Sequence, residues 1–458
     1  MERFIRAVNL SQLCIEDNLI TTIPNSAFKT CKKLRLIRLS SNRIETVNGS
    51  IFEGAENIEH LNLTGNQLSF IGETTFRALP RLKRVDLSDN LIVDIHTNAF
   101  DHLTELESVT IDRNLLTQYD PNWFKTNNKV SSLNLGFNHF SSLDFEELAR
   151  LTNLTSLNLN GLKSISLRKD AFQNMLGLQE LYLNEMDLRQ IDGSMFVKNI
   201  ALQTISMTNN NIVSLDSSTF HALTSLGSLN LSSNPLGHID SNVFADLNNL
   251  KVLDLNYCRI TSVHPYAFRN QESLINLHLG WNEIIGLDIQ TFRNLVNLEF
   301  INLSNNKITK LNTITYETMK NVKMLDFSFN RIDAIQRNFF STFQTSNVTV
   351  KMAGNLCINS SFSITPDSDP LMFRPLEDCY INWDILTPST TRTTFHPTVP
   401  STTTTTIDPS ISTSTAFDES VVFFAVTIPI PLVLLIVACA VRKKGCCFTQ
   451  YQLPTPSH

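Results

Sequence analysis

The chain has 458 residues, of which 42% are hydrophobic and 17% charged, and its formal net charge is −6. A mildly acidic chain without a clustered basic face does not fit a nucleic-acid partner. The ten His are dispersed and the motifs CxxC, HExxH, GxSxG and a phosphate-binding glycine loop are missing, so we expect no metal, no cofactor and no enzymatic activity.

A line of the form LxxLxLxxN returns every 24 residues, fourteen times between Asn18 and Asn330, with a Phe ten positions after the Asn. Clear copies are LRLIRLSSN ending at Asn42, IEHLNLTGN at Asn66 and LGSLNLSSN at Asn234. This period and pattern are typical of leucine-rich repeats, which stack as the coils of a solenoid. The sequence therefore predicts an α/β solenoid over residues 1–355, a leucine-rich repeat horseshoe of about 15 coils with a concave parallel β-sheet.

Two columns of residues recur at one position in each coil. Leu162, Met186 and Cys258 interrupt the first column and Leu148 and Tyr316 the second, so we expect different hydrogen bonding in the turns that lack Asn. The Asn column closes each strand, where its amide can bond buried turn backbone, and comprises Asn18, Asn42, Asn66, Asn90, Asn114, Asn138, Asn210, Asn234, Asn282, Asn306 and Asn330. The Phe column is expected to stack in the convex half of the core, and comprises Phe28, Phe52, Phe76, Phe100, Phe124, Phe172, Phe196, Phe220, Phe244, Phe268, Phe292 and Phe340.

Aromatic side chains mark the predicted concave face, most densely in its C-terminal third. Some stand just before the Asn position and others at outward positions of the strands, where side chains alternate between the two faces. Aromatic residues on a rigid sheet are typical of binding hot spots, and shielding of neighbouring strand edges is the alternative explanation. The candidate ligand-binding residues are Tyr257, Trp281, Phe300, Phe329, His278, Tyr182 and Phe137.

A second patch lies nearer the N-terminus and has mixed charge. Mixed charge is typical of a solvated face, so this patch is a weaker candidate for binding. Its members are Arg35, Arg38, Lys83, Arg84, Asp86, Asp89, Asp112 and Arg113.

The composition changes after Asn355. Residues 356–387 carry three Pro and two Cys and occupy the place of the terminal cap that an open solenoid needs, so we expect an irregular C-terminal cap. Residues 388–420 are rich in Thr, Ser and Pro and predict a disordered stalk, because too few apolar side chains remain to offset the entropy of folding. Such tracts are commonly O-glycosylated.

Residues 421–441 contain no charge, and Arg442, Lys443 and Lys444 follow at once. This length and this flank predict one transmembrane helix with a cytoplasmic tail at 442–458. Cys446 and Cys447 beside it are candidates for palmitoylation, with unmodified thiols as the alternative.

This topology places residues 1–420 outside the cell, where Asn-x-Ser/Thr sequons are candidates for N-glycosylation. The segment MERFIRAV has no apolar core of the kind a signal peptide needs and leads straight into a repeat, so we expect that the true beginning, with a signal peptide and a cap, is missing from this sequence. Three sequons fall in the repeat's own phrase, which leaves Asn48 and Asn359 as the stronger candidates. The sequons are Asn9, Asn48, Asn62, Asn153, Asn230, Asn302, Asn347 and Asn359.

Over residues 8–387 the chain resembles the single-pass leucine-rich repeat proteins of animal cell surfaces, including adhesion molecules and the ectodomains of Toll-like receptors, although it has no Toll-type signalling domain. In that group a GNP line precedes the first cysteines of the C-terminal cap. Here the line is Gly354, Asn355, Leu356 and Cys357. The resemblance implies a disulfide between Cys357 and Cys379.

The resemblance and the topology together predict a type I protein of the plasma membrane with an extracellular N-terminus. We expect a recognition or adhesion protein, a receptor or co-receptor, that binds an extracellular protein or glycan partner on its concave face, either as a monomer or as a homo- or heterodimer. The alternative is a structural or matrix-organising spacer without a dedicated ligand.

Overall fold

The computed structural model describes residues 9–343 and 347–387. The predicted stalk at 388–420, the predicted membrane span at 421–441 and the tail at 442–458 with Cys446 and Cys447 lie outside the described residues. Within the described ranges, no helix combines the length and the apolar character needed to cross a bilayer.

The described chain is a solenoid in which each turn contributes one short strand to a single sheet. Fifteen of these strands pair in parallel in chain order, so fourteen full turns separate the first from the last. The register advances by 24 residues per turn, as in Leu229 opposite Leu253, and by 25 at the last turn, where Leu325 lies opposite Val350. The strands are β1 (Gln12–Cys14), β2 (Leu36–Arg38), β3 (His60–Asn62), β4 (Arg84–Asp86), β5 (Ser108–Thr110), β6 (Ser132–Asn134), β7 (Ser156–Asn158), β8 (Glu180–Tyr182), β9 (Thr204–Ser206), β10 (Ser228–Asn230), β11 (Val252–Asp254), β12 (Asn276–His278), β13 (Phe300–Asn302), β14 (Met324–Asp326) and β15 (Val348–Lys351).

The period of two along a strand explains which side chains enter the core. In β10 the middle residue Leu229 is buried, while Ser228 and Asn230 are half-buried on the open face of the sheet. Leu226 and Leu231 flank the strand and are also buried. No coil can bury this apolar face alone, so each coil is stabilised by its neighbours.

The return side of the solenoid is built from short helical turns and three small strand pairs. Most of the Phe column is fully buried here, and rings of adjacent coils stack, for example Phe172 and Phe196 with centroids 6.1 Å apart. This confirms the predicted spine, with Leu148 and Tyr316 buried in place of Phe. The helical turns are α1 (Phe145–Leu148) and the 3-10 segments Gly49–Phe52, Pro121–Phe124, Gly193–Phe196, Ile314–Tyr316 and Phe340–Phe343. The strand pairs are Phe70–Ile71 with Asp94–Ile95, His238–Ile239 with Ser262–Val263, and Lys310–Leu311 with Ala334–Ile335.

The Asn column forms the hydrogen-bonded ladder that the sequence predicts. The Asn234 Oδ1 accepts a bond from Ile212 N at 3.1 Å, and its Nδ2 donates to Met207 O at 2.9 Å and Leu231 O at 2.8 Å. The prediction is wrong only for Asn18, which is exposed and donates to Glu16 O within its own turn. The other members are buried like Asn234: Asn42, Asn66, Asn90, Asn114, Asn138, Asn210, Asn282, Asn306 and Asn330.

The coils of Leu162, Met186 and Cys258 lack the ladder Asn and share a different hydrogen bond. In each of them an Asn stands two residues before the ladder position and accepts from the backbone of the next coil. The backbone pairing of the strands is continuous through these coils. The three bonds, each 2.7 Å long, join Asn160 Oδ1 to Asn184 N, Asn184 Oδ1 to Thr208 N, and Asn256 Oδ1 to Gly280 N.

A second set of buried amides was not anticipated from the sequence. Asn127, Asn199 and Gln271 occupy a position where other coils place Leu. The Asn199 Nδ2 donates to Phe172 O and Met175 O, both at 3.0 Å. These amides therefore bond carbonyl groups of the preceding coil on the return side.

The C-terminal cap is more regular than predicted. Strand β16 (Ser361–Ile364) pairs antiparallel with β15, and the 3-10 segment Pro370–Leu376 leads into helix α2 (Glu377–Leu386). The predicted disulfide between Cys357 and Cys379 is present, with Cα atoms 5.3 Å apart. Pairing across the last parallel strand supplies partners for its backbone groups, which explains why an ordered strand replaces the expected irregular segment.

Candidate ligand-binding site

The residue just before each ladder position has a left-handed backbone, and this row of residues, here called the outer row, follows each strand of the sheet. Its φ is 58° at Tyr257, 57° at Trp281 and 55° at Phe329. Bulky side chains are uncommon at positive φ because the Cβ crowds the backbone. The solenoid holds them there because every coil repeats the same turn, and such strained positions are frequent at functional sites.

Tyr257 and Trp281 form a stacked pair in adjacent coils. Their ring centroids are 5.2 Å apart with planes inclined by 12°. Each side chain is nevertheless 51% exposed. A stacked, rigid and accessible aromatic pair offers a large apolar contact surface at little cost in conformational entropy.

Phe329 lies two coils beyond Trp281 in the outer row and is 61% exposed. One side of its ring rests on Gly354, where a Cβ would come within 2.6 Å of the ring. Gly354 itself has a φ of 73°. Glycine at this position therefore leaves space for the ring, and it adopts the positive φ of the outer row without strain.

His278 and Phe300 belong to the strands beside the outer row. They are outward residues of β12 and β13, and their ring centroids are 5.0 Å apart. Burial against its neighbours lowers the pKa of His278, and the charge of Asp254 acts in the opposite direction. His278 is therefore a largely neutral, partly apolar surface at physiological pH.

These five residues form one surface, which we call the aromatic patch: Tyr257, Trp281, His278, Phe300 and Phe329. Two other predicted residues are not part of it. Tyr182 lies in β8, three strands before β11, with its hydroxyl 3.5 Å from a carboxylate oxygen of Glu180. Phe137 lies in the outer row five coils before Tyr257, against Gly161 and beneath the Arg113 guanidinium, whose Cζ is 4.4 Å from the ring centroid. Its contacts match the strand-edge shielding that the sequence left as the alternative.

Four members of the mixed-charge patch line a groove of about 580 Å³ on the first strands of the sheet, namely Arg35, Arg38, Arg84 and Asp86. Two cations of this patch share one carboxylate from outside the patch. Glu59 accepts from Arg35 at 2.8 Å and lies 3.3 Å from Lys83. The aromatic patch, by contrast, leaves apolar surface uncovered, so it is the stronger candidate for a protein partner.

Burial raises the pKa of Asp112 to about 6, and the neighbouring carboxylate of Asp86 adds to the shift. Asp112 accepts from Asn134 Nδ2 at 2.9 Å and lies 3.7 Å from Arg113.

In the part of the chain that the structure describes, no group of three or more His, Cys, Asp and Glu side chains is arranged to hold a metal ion.

The sequons differ in the freedom of their amides. Asn48 and Asn359 are exposed and use Oδ1 to accept bonds from Ser50 N and Gly354 N. Asn153 donates its Nδ2 to Asn128 O at 2.6 Å, so the nitrogen to which a glycan would be attached already makes one hydrogen bond. Three others are half-buried on the open face of the sheet: Asn62, Asn230 and Asn302. Asn9 and Asn347 are exposed, and use of any sequon stays a prediction.

A charged row that was not anticipated from the sequence runs beside the aromatic patch. Arg259, Glu283, Lys307 and Arg331 stand two residues after the successive outer-row positions. Lys307 donates to Glu283 at 2.5 Å. The row thus carries more positive than negative charge next to the exposed rings.

Comparison with known protein families agrees with the repeat pattern. A BspA-type leucine-rich repeat region matches residues 1–131 in six copies, and a leucine-rich repeat model matches residues 104–163, 200–260 and 248–308. The chain is a leucine-rich repeat protein. Members of this repeat family are generally non-enzymatic. No curated protein matches this leucine-rich repeat protein in sequence.

Solved leucine-rich repeat structures share the fold. A chain of the Toll–Spätzle complex of Drosophila is 22% identical with a TM-score of 0.60, over 76% of this protein and 51% of that chain, so the leucine-rich repeat protein spans about half of it. A Leptospira interrogans leucine-rich repeat protein is 21% identical with a TM-score of 0.68, over 83% and 91% of the two chains. An internalin of Listeria monocytogenes is 20% identical with a TM-score of 0.55, over 70% and 92%.

Proposed function

We propose that this leucine-rich repeat protein is a cell-surface recognition or adhesion protein that binds a protein partner through the aromatic patch. The observation that carries the proposal is the set of exposed rings on a rigid sheet, in particular the stacked pair of Tyr257 and Trp281. Binding energy at protein interfaces is concentrated in such aromatic residues. The Toll chain was solved as a complex with Spätzle, which is a precedent for a protein ligand on this fold.

The proposed location is the plasma membrane, with the solenoid outside and residues 421–441 as a single span. This part of the proposal is supported by the uncharged segment, by Arg442, Lys443 and Lys444 after it, and by eight sequons in the preceding residues. An extracellular position would also favour persistence of the disulfide between Cys357 and Cys379.

Cell adhesion tests the recognition role. Cells that display the full chain are compared with cells that display the triple variant Tyr257→Ser, Trp281→Ser, Phe329→Ser, and adhesion to cells of the native source is measured. Tyr266→Ser is the matched control, because Tyr266 is also 51% exposed but packs against His264 on the return side. We expect loss of adhesion with the triple variant only. Equal adhesion by all three proteins would favour the spacer role instead.

Removal of N-glycans tests the location. The native protein is treated with an N-glycan-removing enzyme, and its mobility is followed with an antibody against residues 442–458. A drop in mass is expected if the solenoid lies outside the cytosol. No change across eight sequons would contradict the cell-surface proposal.

A further inference from the structure

The aromatic patch contains a notch. Four successive outer-row residues are Tyr257, Trp281, Asn305 and Phe329, and Asn305 is half-buried between two rings that are exposed. The Asn305 side chain lies down against its own turn, because its Nδ2 donates to Ser304 Oγ at 3.3 Å. Asn305 is therefore the floor of the notch, and Trp281 and Phe329 are its walls.

Both walls present a free face to the notch. Tyr257, on the coil before, covers one face of Trp281, which leaves the face toward Asn305 open. Gly354, on the coil after, supports the opposite side of Phe329. The notch is thus bounded by two aromatic faces and closed below by a partly buried amide.

The width of the notch suits one planar group. Neighbouring coils are spaced at ~4.8 Å along the sheet, and the Tyr257 and Trp281 centroids are 5.2 Å apart in adjacent coils. Trp281 and Phe329 are two coils apart, so their rings are separated by roughly 10 Å. One inserted ring would then sit at about 5 Å from each wall, within the normal range for aromatic pairs.

The charges beside the notch indicate what should accompany the ring. Glu283 is paired with Lys307 at 2.5 Å and also lies within the field of Arg259, which contributes to lowering its pKa, whereas Arg331 is exposed in the same row. On the sheet side, Asp326 is 3.6 Å from Lys351. The excess positive charge therefore lies on the outer side of the notch, where it would attract a carboxylate.

We propose that the notch between Trp281 and Phe329 accepts one aromatic side chain of a protein partner, and that an acidic residue next to that ring meets the Arg331 guanidinium. This inference rests on the proposed function, because it names the group that the aromatic patch recognises. A glycan is the alternative occupant, because sugar rings also pack on aromatic faces, and the test below includes a glycan probe.

The test uses defined probes and the full chain. The first probe is a fluorescent nine-residue peptide with a central Tyr flanked by Glu. Matched peptides replace Tyr by Ala or every Glu by Gln, and chitohexaose serves as the glycan probe. Binding is measured by fluorescence anisotropy for the peptides and by calorimetry for chitohexaose.

Substitution of Asn305, the floor of the notch, distinguishes insertion of the peptide ring into the notch from non-specific hydrophobic binding. Asn305→Phe fills the notch with a residue type that the outer row already carries at Phe329, and Asn305→Ser keeps it open. Asn209→Phe adds the same ring at an outer-row position outside the patch, where φ is 54°. Thermal unfolding of each variant confirms that it folds.

We expect the Tyr peptide to bind the wild type, Asn305→Ser and Asn209→Phe alike. Filling the notch, or removing the peptide ring, should weaken binding on the order of tenfold, the loss expected for one buried aromatic contact. Replacing every Glu of the Tyr peptide by Gln should weaken binding of the peptide more at low salt than at high salt.

Three results would overturn the inference: equal binding of the Tyr and Ala peptides, equal binding to wild type and Asn305→Phe, or binding of chitohexaose without binding of the Tyr peptide. A different result would contradict the proposed function, namely unchanged cell adhesion by the triple Ser variant. A protein partner that needs the patch but tolerates Asn305→Phe would refute insertion and leave recognition intact.

Discussion

Asparagine has several distinct roles in this solenoid, and the role depends on the position in the coil. Asn234 in the ladder bonds groups of its own and the preceding coil, whereas Asn184 accepts from the following coil. Asn199 replaces a core Leu and donates to two carbonyl groups on the return side. The same amide can serve in each place because it offers donors and an acceptor within one short side chain.

Asp112 gives a pH-dependent prediction at the scale of one residue. Burial raises its pKa from 3.8 to about 6, so the folded state holds this proton more tightly than the unfolded chain. Its stabilising contribution is complete below pH 4 and is lost as pH rises through 6. Asp112→Asn should therefore raise the free energy of unfolding by about 1 kcal/mol at pH 7.5, after allowance for solvent screening.

The measurement is denaturant unfolding of the wild type and Asp112→Asn at pH 4 and pH 7.5. The difference between the proteins should grow with pH. Asp94→Asn, at an exposed position, is the control and should change little at either pH. A gain for Asp112→Asn that is equal at both pH values would show that the carboxylate does not titrate as inferred.

At the scale of the element, the coils without a ladder Asn carry a different bond between coils. The Asn184 Oδ1 accepts from Thr208 N at 2.7 Å, and Met186 N donates to Asn210 Oδ1 at 2.9 Å. Asn184 therefore serves a donor of the following coil, whereas a ladder Asn such as Asn234 accepts from the preceding coil. The strand pairing on both sides is preserved.

We predict that Asn184→Ala lowers the free energy of unfolding by about 1–2 kcal/mol, because Thr208 N loses its acceptor. Ser232→Ala, at the same position of a coil with a ladder Asn, should cost less than about 0.5 kcal/mol. The double variant Asn184→Ala, Met186→Asn should recover part of the loss by restoring the ladder. Equal costs for Asn184→Ala and Ser232→Ala in denaturant unfolding would show that the bond to Thr208 N does not contribute to stability.

The sequence predicts the strands, the Asn ladder and the Phe spine because each follows from one repeated position, whereas the disulfide is implied by the resemblance of the cap to that of cell-surface leucine-rich repeat proteins. It does not predict which backbone group an extra Asn will meet, since Asn160, Asn184 and Asn256 bond across coils and no local pattern marks the partner. The ordered cap was missed because Ser361–Ile364 is stabilised by pairing with β15 rather than by its own sequence pattern. Likewise, the sequence places Tyr257 and Phe137 in equivalent positions, and only contacts with Trp281 and with Arg113 tell them apart.

At the scale of the whole molecule, the solenoid is stabilised almost entirely by contacts between neighbouring coils. The register of 24 residues is constant from β1 to β14, and most ladder bonds between coils span 22 or 27 residues, as for Asn66 and Asn114. One complete turn can therefore be removed without changing the contacts that the remaining turns make.

Deletion of residues 67–90 tests this property. Asn66 is then followed by Leu91, and Leu63 O takes the place of Leu87 O as acceptor for Asn114. We expect the shortened protein to fold and to unfold in one cooperative transition. Its m-value, the slope of the unfolding free energy against denaturant concentration, should be lower by roughly one fourteenth, because less surface is exposed on unfolding. Deletion of residues 67–78 removes half a turn and should abolish cooperative unfolding. If the two deletion variants unfold with similar cooperativity, the claim that the solenoid is stabilised by contacts between neighbouring coils alone would be contradicted.

The bonds of Asn160 and Asn184 have a consequence for how such a gene can change length by recombination. Recombination between equivalent positions of two coils usually joins two coils that both carry a ladder Asn. The backbone N–H groups at such a junction keep a hydrogen-bond acceptor. A crossover between Asn160 and Asn184 would instead separate a donor from the only acceptor placed for it, since Asn184 N bonds Asn160 and Thr208 N bonds Asn184. Duplications and losses in descendants of this gene should therefore carry these coils as one inherited block, while the turns on either side vary in number.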